Sequence, residues 1–305
     1  MNYESFLQKL VENSNNIFIL TAENRAAIRN LPHIIGNRFL DVGIAEQTMI
    51  GIAAGLALRG NIPIVHALAS FLTMRAFEFI RTDIGVPNLP VKIVGSFSGF
   101  LSEANGPTHQ AIEDISLMRT IPNINIFCPA DEEDMLIGLP KIINSHLPFY
   151  IRYNNQKPII KHEQNFSIGS AEIINDGRDI TILTYGLLLS EAYKASIILR
   201  ERGFSTKLVN LRTLKPIDSE VIIKSLKHSK FIVTVEDHFL IGGLYSIVAE
   251  LALKHQINSK VIPFALDSRW FQPSLLKNII EHENFTGEKI AYRIMENINN
   301  KHSGF

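Results

Sequence analysis

Glu46 is the residue whose type and placement come nearest to chemistry. It follows the run Arg38-Phe39-Leu40-Asp41-Val42 and a turn at Gly43, and stands among Ile44, Ala45 and Met49. A carboxyl group so placed has two uses. It can complement the positive end of the helix that begins there. It can also be kept partly protonated by apolar surroundings and serve in proton transfer. Position alone leaves both open, and first-turn acids are common. His109, after Gly106-Pro107-Thr108, is a loop histidine of the kind that caps a helix or moves a proton. Arg152 ends the strand-like Tyr150-Ile151-Arg152 and offers a planar fork of donors or a solvated strand end. Asp131-Glu132-Glu133-Asp134 has the residue types of a metal cluster, but it follows Pro129-Ala130 at a helix start, where the dipole favours acids. Gly242-Gly243 precedes a helix and could cradle an anion. With no second phosphate motif beside it, a close-packed turn is the expectation.

The elements that must hold these groups can be read from periodicity. Residues 17–20, 39–42, 62–67, 91–95, 124–128 and 149–152 form short apolar runs of strand type, and helical patterns occupy 5–12, 48–58, 71–84, 111–120 and 133–145. In 71–84, Phe71, Met74, Phe77 and Ile80 recur at helical spacing, which on its own indicates a core stripe. Residues 96–107 are a loop rich in Gly, Ser and Asn, and Thr108 is the expected cap of the helix after it. A polar stretch with Pro158 and no helical period breaks the rhythm. Strands then resume at 179–185, 205–211 and 231–235. Helices stand between and after them at 190–202, from Lys215-Pro216-Ile217-Asp218 onward and at 244–254. Short strands alternating with helices predict an α/β protein with parallel sheets covered on both faces. The expected division is 1–155 for a first domain, 156–172 for a linker and 173–305 for a second domain.

Bulk properties exclude several classes. The 305 residues, 46% of them hydrophobic and 20% charged, suit a globular protein of about two domains. Lys+Arg and Asp+Glu balance at 30 each, so no global field draws nucleic acid or an anionic membrane. A single cysteine, Cys128, rules out an internal disulfide and favours a reducing compartment, which here means the cytoplasm. The segment 1–16 lacks a long apolar core, so no leader is expected. The apolar window 49–72 is interrupted by Arg59, Asn61 and His66 and is too broken to span a bilayer. No G-x-G-x-x-G follows a strand, so a plain dinucleotide-binding protein is disfavoured.

Three segments in order, RFLDVGIAEQ, SFLTMRAFEFIR and GPTHQAIEDISLMRTIPN, resemble the pyrimidine-binding domain of transketolases. TVEDHFLIGGL in the second half is similar to the transketolase C-terminal domain. The resemblance covers nearly the whole chain and is nearest to the separately encoded C-terminal half of two-subunit transketolases. It implies thiamine diphosphate as cofactor, with Glu46 bonded to the pyrimidine N1′. That bond favours the 4′-imino tautomer, which takes the proton from thiazolium C2. It implies Phe71 as the stacking residue of the pyrimidine cradle, with Met74 and Phe77 beside it. His109 would face the thiazolium and substrate and bond the developing alkoxide or shuttle a proton. Arg152 would hold a substrate phosphate. Arg75 and Arg81 are assigned to structure, as are Glu236 and His238.

Two positions depart from the family pattern. Asn105 stands where an aspartate is usual and Phe97 near where a histidine is usual, and those groups bind donor hydroxyls. Asn105 loses the charge-assisted part of such a bond, worth roughly 1–2 kcal/mol, and Phe97 makes no polar contact through its ring. A specialised donor or acceptor sugar follows as an expectation. The family's diphosphate and metal site rests on a Gly-Asp-Gly motif that this sequence does not contain. The resemblance therefore implies a partner, an N-terminal subunit that carries the diphosphate domain and holds Mg²⁺ (or Ca²⁺). A self-dimer within an α₂β₂ assembly would result. The expected reaction moves a two-carbon ketol unit from a ketose or ketose phosphate to an aldose. The alternatives are the β subunit of a 2-oxoacid dehydrogenase, an enzyme of the deoxyxylulose-phosphate synthase kind, and a non-catalytic assembly subunit.

Overall fold

The computed structural model of the protein describes residues 1–299. Two sheets organise them. The first has seven strands, β1 (Ile17–Thr21), β2 (Phe39–Asp41), β3 (Ile62–Leu68), β4 (Lys92–Ser96), β5 (Asn125–Phe127), β6 (Phe149–Arg152) and β10 (Thr213–Lys215). Their order across the sheet is β10-β5-β6-β4-β3-β1-β2. The second has β7 (Glu172–Asn175), β8 (Ile180–Thr184), β9 (Thr206–Asn210), β11 (Phe231–Phe239) and β12 (Val261–Leu266), in the order β12-β11-β8-β9-β7.

Strands β1 to β6 are mutually parallel, as their near-continuous apolar sequences predict. All six therefore direct their C-terminal ends to one edge, and the loops that leave that edge carry the polar residues singled out above. In open parallel sheets this is the edge where ligands bind. Helices Tyr3–Glu12 and Glu132–Asn144 cover one face, around Leu7, Ile19, Phe127, Leu139 and Phe149. On the other face, Met49, Leu72, Ile80 and Ile93 merge into one core with Tyr185, Val209 and Val248 of the second domain. A shared core of this kind fixes the two sheets relative to each other.

Two strands were not legible beforehand, β7 and β10. Both are short and run antiparallel to their neighbours, β9 and β5. β10 belongs by sequence to the second half of the chain but completes the first sheet, with Thr213 opposite Phe127 and Lys215 opposite Ile126. The helix expected to open at Lys215-Pro216-Ile217-Asp218 begins at Ser219, capped by Asp218, whose carboxylate accepts from the Val221 amide at 3.0 Å. Thr108 does not cap the helix that follows it. That helix starts at Asp114, and the Thr108 hydroxyl lies 2.9 Å from His109 Nδ1.

The segment 71–84 also differs from expectation. It forms a wide, five-residue-spaced turn at Phe71–Arg75, a short α-helical turn at Phe77–Phe79 and a second wide turn at Ile80–Gly85. Each wide turn adds one residue and rotates the faces. The core side therefore becomes Leu72, Ala76, Ile80 and Ile84. Of the expected stripe, Phe71 and Phe77 are half-buried and Met74 is exposed.

Candidate active site

Glu46 begins the helix Glu46–Leu58 directly after the turn at Gly43, whose φ of 73° is one that favours glycine. The turn is closed by the Asp41 carboxylate, which accepts from the Gly43 amide at 3.0 Å. Glu46 is buried, yet its carboxylate is not left among apolar neighbours alone. Arg75 Nη1 donates to Glu46 Oε2 at 3.0 Å. The same guanidinium lies over the Phe71 ring, 4.1 Å from its centre. The edge of Phe71 in turn meets His109, with ring centres 5.2 Å apart. Glu46, Arg75, Phe71 and His109 thus form one continuous row along the C-terminal edge of the first sheet.

Arg75 is the member of that row that sequence reasoning assigned elsewhere. Its spacing of four residues from Phe71 was the available signal, since such a pair shares a helix face. Met74 and Phe77 do not join the row. Met74 is exposed and Phe77 packs on the core, a consequence of the wide turns.

His109 sits on the loop between β4 and the helix Asp114–Arg119, together with Phe97 and Asn105. Several contacts fix this loop. Gly99 N–H donates to Ala111 O at 2.9 Å, and the Ser102 hydroxyl lies 2.7 Å from Phe97 O and 2.8 Å from Gly99 O. Gln110 donates to Phe271 O of the second domain at 3.0 Å. Asn105 uses its amide nitrogen on Ser102 O at 2.9 Å. Phe97 is half-buried and holds φ of 59°, a left-handed conformation that is rare for an aromatic residue and costs about 1–3 kcal/mol.

Arg152 is not placed to receive a phosphate. It is buried, and its Nε and Nη2 donate to the two oxygens of Asp114 at 2.8 and 2.7 Å, while Nη1 donates to Asp237 Oδ1 at 2.6 Å. Two carboxylates saturate the fork, one from each domain. Burial alone would raise the Asp114 carboxyl, but the Arg152 charge and hydrogen bonds bring it below the usual range, with a contribution from Tyr150. The arginine correspondingly keeps its proton. Asp237 also accepts from the Phe100 amide at 3.2 Å, so the pair anchors the loop that carries Phe97 and His109.

The other candidates are structural. Gly242-Gly243 does precede a helix, but its anion is internal: Glu236 accepts from the amides of Leu244 and Tyr245 at 2.6 and 2.9 Å. Burial raises the Glu236 carboxyl to about 7, against those two bonds. Asp131 caps its helix through the Asp134 amide at 3.0 Å. Asp134, His162 and Glu172 come together as a metal centre would require. Arg212 already occupies that space, 2.7 Å from Asp134 and 3.0 Å from Glu172, so the cluster is an ion network between the domains.

Comparison with known proteins gives this arrangement a lineage. The family model described as transketolase, pyrimidine binding domain, matches residues 2–158, and that described as transketolase, C-terminal domain, matches residues 169–290. The chain belongs to the transketolase family. It is 38% identical over 263 residues to a putative transketolase C-terminal section of Methanocaldococcus jannaschii, covering 85% of this chain and 82% of that one. It is 34% identical to a 6-deoxy-6-sulfo-D-fructose transketolase subunit of a Clostridium species, covering 81% and 78%. The structure of a split-gene transketolase, described as an inactive β₄ tetramer, superposes with a TM-score of 0.86 at 31% identity over 96% of both chains. The transketolase fold and its two-domain order are therefore those expected, and the chain resembles a separately encoded C-terminal subunit. Family membership implies dependence on thiamine diphosphate. The residues of the row suit the pyrimidine end of that cofactor: a buried carboxylate for a ring nitrogen, beside an aromatic ring and a histidine. The diphosphate end finds no Gly-Asp-Gly here.

Proposed function

We propose that this chain is the C-terminal subunit of a split transketolase. With a subunit that binds the diphosphate and its metal ion, it would transfer a two-carbon ketol unit from a ketose to an aldose. The observation that carries the reading is the row Glu46–Arg75–Phe71–His109, which offers contacts for one end of a cofactor only. Bound thiamine diphosphate supplies the nucleophilic carbon that accepts the ketol unit.

The chain's own residues act around it. Glu46 would hold the pyrimidine ring through a hydrogen bond to its N1′, a role that suits a carboxyl group screened from water. Arg75 holds that carboxylate in position from the solvent side; its side chain is 43% exposed and can yield to an arriving ring. Phe71 gives the ring an apolar flank. His109, with Nδ1 engaged by Thr108, has Nε2 to bond or protonate the substrate oxygen. Asn105 and Phe97 border the substrate from the same loop.

A partner is supported by exposed apolar side chains in and around the helix Glu46–Leu58 and along the segment 71–86. Ile44 and Leu58 are each 71% exposed and Val86 is 69% exposed, with Ile52, Met74 and Phe79 also open to solvent. Gly51 and Gly55 face open space where a Cβ would meet nothing, so packing within the chain does not demand glycine there. Apolar surface of this extent marks an interaction face. A self-dimer, within a tetramer of two kinds of subunit, would bury it together with the partner. Without the partner the chain is expected to associate with itself and to be inactive, in line with the β₄ neighbour.

The test is reconstitution with a diphosphate-domain subunit, thiamine diphosphate and Mg²⁺, assayed with ketose and 2-oxoacid donors. Ketol transfer should appear only with both subunits, and Glu46→Ala should lower turnover at least ~10²-fold. Near-normal turnover in that variant would refute the assignment, and activity confined to 2-oxoacids would favour a decarboxylating enzyme.

A further inference from the structure

A cavity of about 190 Å³ opens at the same edge of the first sheet as the row of Glu46, Phe71 and His109. Its walls come from three strand ends. Ala26 and Ala27 follow β1, Ser96 ends β4 with Phe97 directly after it, and Tyr153, Asn155 and Gln156 follow β6. Leu101 and Glu103 of the histidine-bearing loop complete it. In the sheet β3 lies between β4 and β1, and β3 runs into the segment that begins with Phe71. The cavity therefore flanks the proposed pyrimidine cradle and shares a loop with it.

The chemistry of its lining is one-sided. Among the described residues, no lysine, arginine or histidine lines it, and its one charged residue is an acid, Glu103. The nearest arginine along β6, Arg152, is spent on Asp114 and Asp237. Arg25, beside Ala26, pairs with Asp41. A phosphate or sulfonate needs cationic donors or a cluster of free amides to leave water. Here it would meet alkyl groups, a phenylalanine face and a carboxylate. The rest of the lining is neutral: Ser96, Tyr153, Asn155 and Gln156 are its uncharged polar residues, with Phe97 and Leu101 for carbon. Phe97 holds its strained φ of 59° at this wall, and Glu103 a φ of 47°. Such strain persists where the surroundings fix a residue in place, and it concentrates at ligand sites.

We infer that the sugar entering this site is uncharged at the end that reaches the cavity, a free rather than a phosphorylated or sulfonated ketose or aldose. The inference rests on the ketol-transfer reading for its setting. It selects the substrate class through Phe97, Asn155 and Glu103 as specificity residues.

The experiment uses the reconstituted two-subunit enzyme loaded with thiamine diphosphate and Mg²⁺. Specificity constants are compared for xylulose against xylulose 5-phosphate, and for fructose against fructose 6-phosphate and 6-deoxy-6-sulfofructose. The free ketoses should be favoured about tenfold or more, the least that one absent charge-assisted bond would give. Asn155→Arg, at an exposed position, and Phe97→His should move the preference toward the phosphate esters. A wild-type preference for either anionic class overturns the inference and leaves ketol transfer intact. If no ketose is turned over, ketol transfer fails, and calorimetry with inorganic phosphate on the same loaded complex decides the inference. Wild type should show no saturable phosphate binding that Phe97→Trp removes, while Asn155→Arg should create such binding. Saturable binding in wild type that is lost in Phe97→Trp would overturn it.

Discussion

Arg152 Nη1 donates to Asp237 Oδ1 at 2.6 Å across the two sheets, and this contact ties the reactive loop to the second domain. Both residues are buried. Removing one partner strands the other charge away from water, which typically costs about 3–5 kcal/mol. Arg152→Gln and Asp237→Ala should each lower the unfolding free energy by that order, seen as a lower urea midpoint with little change in the denaturant slope. A shift below ~1 kcal/mol in either variant would show that the pair does not hold the domains together.

Gly99 tests the same joint from the loop side. Its φ is +56°, and an added Cβ would lie 1.8 Å from Asp237 Oδ2. Gly99→Ala must displace either the loop or the aspartate. The expected result is a destabilisation of roughly 2 kcal/mol or more, together with reduced turnover, since His109 rides on the displaced loop. Unchanged melting temperature and activity would show that the approach relaxes without consequence.

His162 gives a pH signature. Its ring bonds Asp131 at 2.8 Å and Glu172 at 2.9 Å. Burial on its own would lower its pKa, but these two bonds and the charges of Asp134 and Asp131 raise it to about 10. The folded value exceeds the unfolded value near 6.5, so the native state binds the proton more tightly. The resulting stability is fully present below pH 6.5 and is lost as the pH rises through about 10. His162→Gln should therefore be destabilised at pH 6.5 by about 3 kcal/mol, and the gap to wild type should shrink steadily toward pH 10. Parallel stability curves across that range would contradict the assigned protonation.

Arg75 bears on stability and on activity. Its side chain is 43% exposed but Glu46 is buried, so Arg75→Ala leaves that carboxylate unpaired and is expected to cost about 1–3 kcal/mol of unfolding free energy. The carboxylate of Glu46 and one side of Phe71 would lose their support. Apparent affinity for thiamine diphosphate, or turnover of the reconstituted enzyme, should then fall by about tenfold. Arg75→Lys should recover only part, because an ammonium group cannot bond Glu46 and lie flat on Phe71 as a guanidinium does. Wild-type kinetics in Arg75→Ala would make it an ordinary surface arginine.

How far the site could be read in advance follows from what each inference rested on. The strands β1 to β6 and their parallel direction, though not their order across the sheet, are legible in the apolar runs, because a strand buried on both faces must be apolar throughout. Glu46, Phe71 and His109 are singled out by the resemblance of ordered motifs, and the fold brings all three into one row. Arg75 was missed because an arginine on an amphipathic segment is ordinarily solvated, and no local pattern reveals that its partner stands 29 residues earlier. Arg152 was misread for the opposite reason. A strand-end arginine is as suited to a phosphate as to a carboxylate, and only the fold brings Asp114 and Asp237 to it. The expected Met74 stripe failed because two wide turns shift the register, and hydrophobic spacing carries no sign of a one-residue insertion. β10 was illegible since its pairing with β5 is a long-range event in a segment of three residues.

That strand bears on how the polypeptide can be handled as a unit. A fragment cut within 156–172 would keep β1 to β6 but lose the residues that cover the outer side of β5. It would then present a bare row of amides and carbonyls to any passing chain. The first domain should accordingly aggregate when expressed alone, and swapping it between homologues should fail unless residues 213–215 travel with it. In engineering terms the interchangeable module is the pair of sheets, whatever the linker suggests.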